Sequence, residues 1–134
     1  MTTYLLDTNH VSPLVTVGHS LRFRVSERQQ AGDSFVIPAP VLSEFLFGIG
    51  GLPRARQNLL EWQSLKADFV IYSVDATIAE QAADLRLNQR KRGVQFGLVD
   101  AISAIIALQG KFVLLTTDAD FQALPHLSQE NWVR

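Results

Sequence analysis

Short apolar runs, set apart by longer segments of helical periodicity, organise this chain. Thr3-Tyr4-Leu5-Leu6 has strand-forming residues and no polar alternation, the pattern of a strand covered on both faces. Ser34-Phe35-Val36-Ile37, Phe69-Val70-Ile71-Tyr72 and Phe112-Val113-Leu114-Leu115 repeat it, and Pro38 and Pro40 stop the second run. Between them, His10 to Val17 reads as a short helix containing Pro13 and ended by Gly18. Ser20 caps a helix to about Gln30, and Val41 to Gly48 forms another. Leu52 to about Lys66 is amphipathic, with Leu52, Leu59, Leu60, Trp62 and Leu65 as its inner face. Asp75 caps a helix to Arg92 that turns Ile78, Ala79, Ala82 and Leu85 inward. Leu98 to Gln109 is strongly apolar, Asp118 to Leu124 makes a short helix, and the tail through Trp132 and Val133 adds an edge strand. Strands separated by helices imply parallel pairing through right-handed crossovers. The expected fold is α/β, a small parallel β-sheet flanked by helices on both faces, in one domain over residues 1–134.

Composition narrows the chemistry. Hydrophobic residues make up 47% of the chain and charged residues 19%, which excludes disorder. There is no cysteine, so thiolate chemistry and Cys-based zinc sites are excluded. No leader pattern or long apolar run is visible, and the expectation is a cytoplasmic protein with no membrane association. The net charge of −1 hides a separation. Setting aside Asp7, Glu44, Asp100 and Asp118 leaves 9 acidic against 12 basic residues, an acidic centre in a mildly basic surround.

Those four acids keep apolar company. Glu44 stands in Val41-Leu42-Ser43-Glu44-Phe45-Leu46-Phe47, which offers almost no polar face, so its carboxylate needs a partner, a proton or a cation. Asp100 is the sole charge of an apolar helix, where a first-turn cap is the competing role. Asp7 and Asp118 each follow an apolar strand, where turn or cap roles compete. Jointly the four positions converge on the carboxyl edge of a parallel sheet, where open α/β folds hold ligands. Clustered carboxylates raise one another's pKa values, and a divalent cation relieves the conflict. An all-oxygen donor set selects Mg2+ or Mn2+ over zinc.

Leu5-Leu6-Asp7-Thr8-Asn9, Ser43-Glu44 with Gly48, Asp100 opening an Ala/Ile-rich helix, and Thr116-x-Asp118-x-Asp120-Phe121 together resemble the PIN domain. The ending Leu124-Pro125-His126-Leu127 with Trp132 is similar to the tail of its VapC-type toxin branch. The resemblance covers nearly the whole chain, departing at the loose Gly48 to Gly51 segment. It implies an Mg2+- or Mn2+-dependent endoribonuclease that hydrolyses RNA by metal-activated water and leaves a 5′-phosphate. Asp7 and Asp100 would be its principal ligands, with Glu44 and Asp118 completing the site and Asp120 a substitute for Asp118. It further implies that Asn9 orients Asp7, that Thr116 shapes the site, and that the partners are a small antitoxin and a second copy in a homodimer.

Other protein classes fit these residues less well. A haloacid-dehalogenase-like phosphatase needs an Asp two residues after Asp7, where Asn9 stands, and a supported lysine where only Lys111 is available. A receiver-like signalling domain needs paired acids before its acceptor strand, which are missing. A housekeeping PIN nuclease in RNA processing, or a non-cutting PIN-like scaffold, would share all four acids. Arg86 and Arg90, near a helix end where cations are favoured anyway, are candidates for gripping RNA phosphate. His10, His19 and His126 are too dispersed for a metal motif, and His10 reads as a loop histidine. Phe45, Phe47, Trp62 and Phe121 read as core. Apolar residues in the first half exceed what one small core needs, pointing to an interface.

Overall fold

A computed structural model describes residues 1–133. Five parallel strands form one sheet in the order β3-β2-β1-β4-β5: β1 Thr3–Leu6, β2 Ser34–Pro38, β3 Val70–Tyr72, β4 Val113–Leu115 and β5 Gln129–Glu130. The α-helices among the described residues are α1 Thr8–Val11, α2 Ser20–Gln30, α3 Ala39–Gly50, α4 Ala55–Leu65, α5 Ala76–Lys91 and α6 Leu98–Gly110. Period-two alternation divides the sheet between two cores. Tyr4, Leu6, Phe35, Ile37 and Leu115 face Leu21, Val25, Phe45 and Trp62 from α2 to α4. Leu5 and Leu114 face Ile78 and Ala82 of α5 and Ala101, Ala104 and Ile106 of α6. The three-layer α/β expectation holds. β1 is central, with β2 on one side and β4 on the other, so whatever follows β1 and β4 emerges side by side.

Several local expectations need correction. The segment after Asn9 is two pieces, α1 and a 3-10 turn over Ser12–Val15, because Pro13 has no N–H to continue a helical ladder. α4 starts at Ala55, and its inner stripe is narrower than the periodicity suggests. Trp62 is buried and Leu65 partly so, while Leu52, Leu59 and Leu60 are exposed. Ala79 of α5 is also exposed. Phe47 is 88% exposed and belongs neither to the core that holds Phe45 and Trp62 nor to the one on the other face of the sheet that holds Phe121. β3 lies at the sheet edge, so Val70 and Ile71 are open to solvent despite their apolar character. Among the described residues, no helix is long and apolar enough to cross a membrane.

Candidate active site

The site begins where β1 ends. Asp7 keeps β1 in register by donating its N–H to the Leu115 carbonyl at 3.0 Å, then caps α1, its Oδ1 accepting the Thr8 N–H at 2.9 Å. Its side chain is buried, at 5% exposure. At Oδ2 it accepts the Thr116 hydroxyl at 2.8 Å and the Asn9 amide Nδ2 at 3.3 Å. A carboxylate has about four acceptor sites, so three bonds leave one, on Oδ1, for a further partner. Burial pushes the Asp7 carboxyl above its usual range, the Thr116 and Thr8 bonds pull it back, and the Asp118 and Glu44 charges push it up again.

Each other acid arrives on its own element. Asp118 follows β4 and caps the 3-10 turn Ala119–Ala123, its Oδ1 accepting the Asp120 N–H at 2.9 Å. Its own N–H donates to Thr116 Oγ1 at 3.0 Å, so one hydroxyl ties Asp118 to Asp7. Asp100 lies in the first turn of α6, half-buried. It is not the helix cap: Gly97 occupies that position and has no side chain to offer. Burial pushes the Asp100 carboxyl up to about 6, reinforced in order by the charges of Asp7, Asp118, Glu44 and Asp120. Asp7, Asp118, Glu44 and Asp120 therefore all lie near enough to Asp100 for their charges to act on it, Asp118 more strongly than Asp120.

Glu44 reaches this locus from an unexpected setting. It is exposed, with Ser43, Phe47 and Gly48 beside it, because α3 buries only the Val41-Phe45-Ile49 stripe. The run that reads as apolar all round in sequence therefore has a solvent face. The Glu44 partner is Thr8, whose hydroxyl donates to Oε1 at 2.9 Å across 36 residues of sequence.

Sequence reasoning missed Thr8 and misjudged His10. His10 is no loop residue but lies fully buried in α1, where burial pushes its imidazole down to about 4 and keeps it neutral. Arg86 and Arg90 line a separate depression of about 380 Å3 with Gln95 and Phe96, whose lining includes none of the four acids. Arg86 Nε donates to the Phe96 carbonyl at 2.9 Å, bracing the loop that leads into α6 and Asp100.

The donor set is all oxygen. Among the described residues, no three His, Asp or Glu side chains stand ready as a metal cage. By their chemistry, carboxylate oxygens suit a hard cation that takes one or two of them and completes its shell with water and phosphate, as Mg2+ does.

A three-layer α/β domain with Asp7 and Asp118 joined through Thr116 at the carboxyl edge of its sheet is the class that the fold and site define. A sequence profile of the PIN domain matches residues 4–127, and the chain belongs to that family. The fold is shared with a VapBC2 complex from Rickettsia felis bound to promoter DNA, at TM-score 0.85 and 22% identity, covering 98% of this chain and 100% of that one. It is shared too with a DNA-bound VapBC from Salmonella typhimurium, at TM-score 0.82 and 20% identity, covering 99% and 100%. Mycobacterium tuberculosis VapC20, a toxin that cleaves the sarcin-ricin loop, aligns at TM-score 0.66 and 20% identity, covering 90% and 93%. No curated protein matches the chain by sequence.

Proposed function

We propose that this chain is a metal-dependent endoribonuclease acting as the toxin of a VapBC-type toxin–antitoxin pair. The observation that carries the reading is the carboxyl edge of the sheet, where one Thr116 hydroxyl ties Asp7, after β1, to Asp118, after the neighbouring β4. Beside them the Asp100 carboxyl is pushed to about 6 by burial and by neighbouring acids. A fold that gathers like charges in its own cleft has a use for a cation there. Asp7 through Oδ1 and Asp100 would hold Mg2+ or Mn2+, with Glu44 and Asp118 contributing directly or through water. When bound, the cation supplies Lewis acidity for the phosphodiester and a hydroxide nucleophile near neutral pH. The chain's own residues do the rest. Thr116 and Asn9 fix the Asp7 plane, so its free lone pair keeps one direction. Thr8 holds Glu44 at the rim of the cleft, where the carboxylate can take a proton from an attacking water.

The structural relatives named above are VapBC complexes and a VapC toxin, which supports an antitoxin as partner. Exposed Val17, Phe23, Phe47, Leu52 and Leu60 form apolar surface of the kind a protein partner or a second copy covers. Expression in bacteria tests the reading. The intact chain should arrest growth, Asp7→Asn should not, and the RNA products should carry 5′-phosphates. Normal growth with abundant folded protein would favour a housekeeping PIN nuclease. RNA left intact by the purified protein would remove the ribonuclease assignment altogether.

A further inference from the structure

The Asp7 carboxylate is gripped at Oδ2 by Thr116 and Asn9, and the C-terminal tail stands behind both. The Thr116 N–H donates to the Glu130 carbonyl of β5 at 3.0 Å. Asn9 is held by His10, whose Nδ1 lies 2.7 Å from Asn9 Oδ1. On its far side, His10 Nε2 accepts the Trp132 backbone N–H at 3.0 Å, joining residues 122 apart in sequence. A backbone N–H can only donate, so Nε2 must present its lone pair. The ring proton is then on Nδ1 and is donated to Asn9. Asn9 Oδ1 also accepts the Thr117 N–H at 3.1 Å. Two donors converging on Oδ1 settle the amide orientation and aim Nδ2 at Asp7. The ring is fully buried, so neither bond can be exchanged for water.

We propose that His10 is a positioning residue of the nucleolytic site: through Asn9 it fixes the Asp7 carboxylate, and through Trp132 it locks that carboxylate to the C-terminal tail. Neutral imidazole suits the task because it places one donor and one acceptor at opposite ends of a rigid ring. Trp132 is itself fixed, its indole N–H donating to Glu130 Oε1 at 2.9 Å and the Arg24 guanidinium lying 3.9 Å above its ring. The tail is thus part of the scaffold that aims Asp7. The proposal rests on the ribonuclease reading for its activity readout only.

Two variants separate the arms. His10→Asn retains a donor where Nδ1 stood, and His10→Gln retains an acceptor where Nε2 stood. Partners that orient a ligating carboxylate typically change activity ~10–100-fold when lost, and His10 acts one residue further back. His10→Gln should therefore lower the cleavage rate at saturating RNA ~10-fold with KM unchanged, and His10→Asn only ~2–3-fold despite a lower melting temperature. In an Asn9→Ala background, His10→Gln should cost no further activity. Nitrogen-15 NMR of the wild type should show the proton on Nδ1. The proposal is overturned by a proton on Nε2, by undiminished cleavage in His10→Gln, by additivity with Asn9→Ala, or by activity that simply follows melting temperature in both variants. If the wild type cuts no RNA with Mg2+, the functional reading fails by itself. Exchange of the Asn9 side-chain amide protons then decides: faster in His10→Gln than in His10→Asn supports the positioning role, and equal rates overturn it.

Discussion

Replacing Asp100 with Asn sets stability against activity in one residue. The wild-type carboxyl titrates at about 6 in the fold, against 3.8 for a free aspartate, so ionising it costs the native state. At 1.36 kcal/mol per tenfold, that interval is ~3 kcal/mol. Asp100 is only half-buried, and solvent screening reduces the figure to ~1–2 kcal/mol. Asparagine removes this penalty but loses the favourable charge in the first turn of α6, worth ~0.3–1 kcal/mol. The net gain without metal is ~1 kcal/mol at neutral pH, or roughly 3–5 °C in melting temperature for a chain of this size. The sign follows from linkage. A carboxyl raised in the fold leaves stability intact below the unfolded value of 3.8, and that stability is lost as pH rises through about 6. The variant should therefore outlast the wild type at about pH 7.5 in EDTA and show no such gain at about pH 3.5. RNA cleavage in Mg2+ should meanwhile fall by at least ~100-fold, as expected for loss of a group that stabilises the transition state. Undiminished cleavage, or a melting temperature that falls together with activity, would refute the reasoning and make Asp100 a structural residue.

Other perturbations test separate parts of the account. Ser103 is buried in α6 with no partner for its hydroxyl, so Ser103→Ala should raise stability by ~1 kcal/mol in denaturant titration, and a loss would mean that the hydroxyl is satisfied. Thr116→Val removes a bond to Asp7 and the acceptor for the Asp118 N–H. Cleavage should fall and stability should drop by ~1–2 kcal/mol, with unchanged kinetics excluding Thr116 from the site. Phe47→Ser, at a position 88% exposed, should alter monomer stability by no more than ~0.5 kcal/mol while weakening self-association in sedimentation. Unchanged association would exclude Phe47 from a dimer interface.

β1 to β4 were legible because they are continuous apolar runs, and the acids because each stood out against such a run. β5 is the polar pair Gln129–Glu130, and Trp132 and Val133, expected to form the edge strand, lie beyond it. Burial was harder to read, since it depends on which neighbours the fold supplies. Leu59 and Leu60 have core-like character, yet α4 buries fully only Trp62. Glu44 looked enclosed in sequence and is exposed in the fold. The connections that shape the site are the least visible in sequence. Thr8 with Glu44, Thr116 with Asp7 and Trp132 with His10 join residues 36, 109 and 122 apart, and no local pattern announces them. Asp100 as a cap was a fair local inference, but Gly97 holds the cap position and leaves Asp100 to the cleft.

Cleavage of an end-labelled RNA by the purified chain, followed before and after chelation, tests the central claim most directly. The account predicts no cleavage in EDTA and full recovery with Mg2+ or Mn2+, each restored only when Asp7 and Asp100 are both intact. Cleavage that persists in chelator, or that survives loss of either carboxylate, would contradict it.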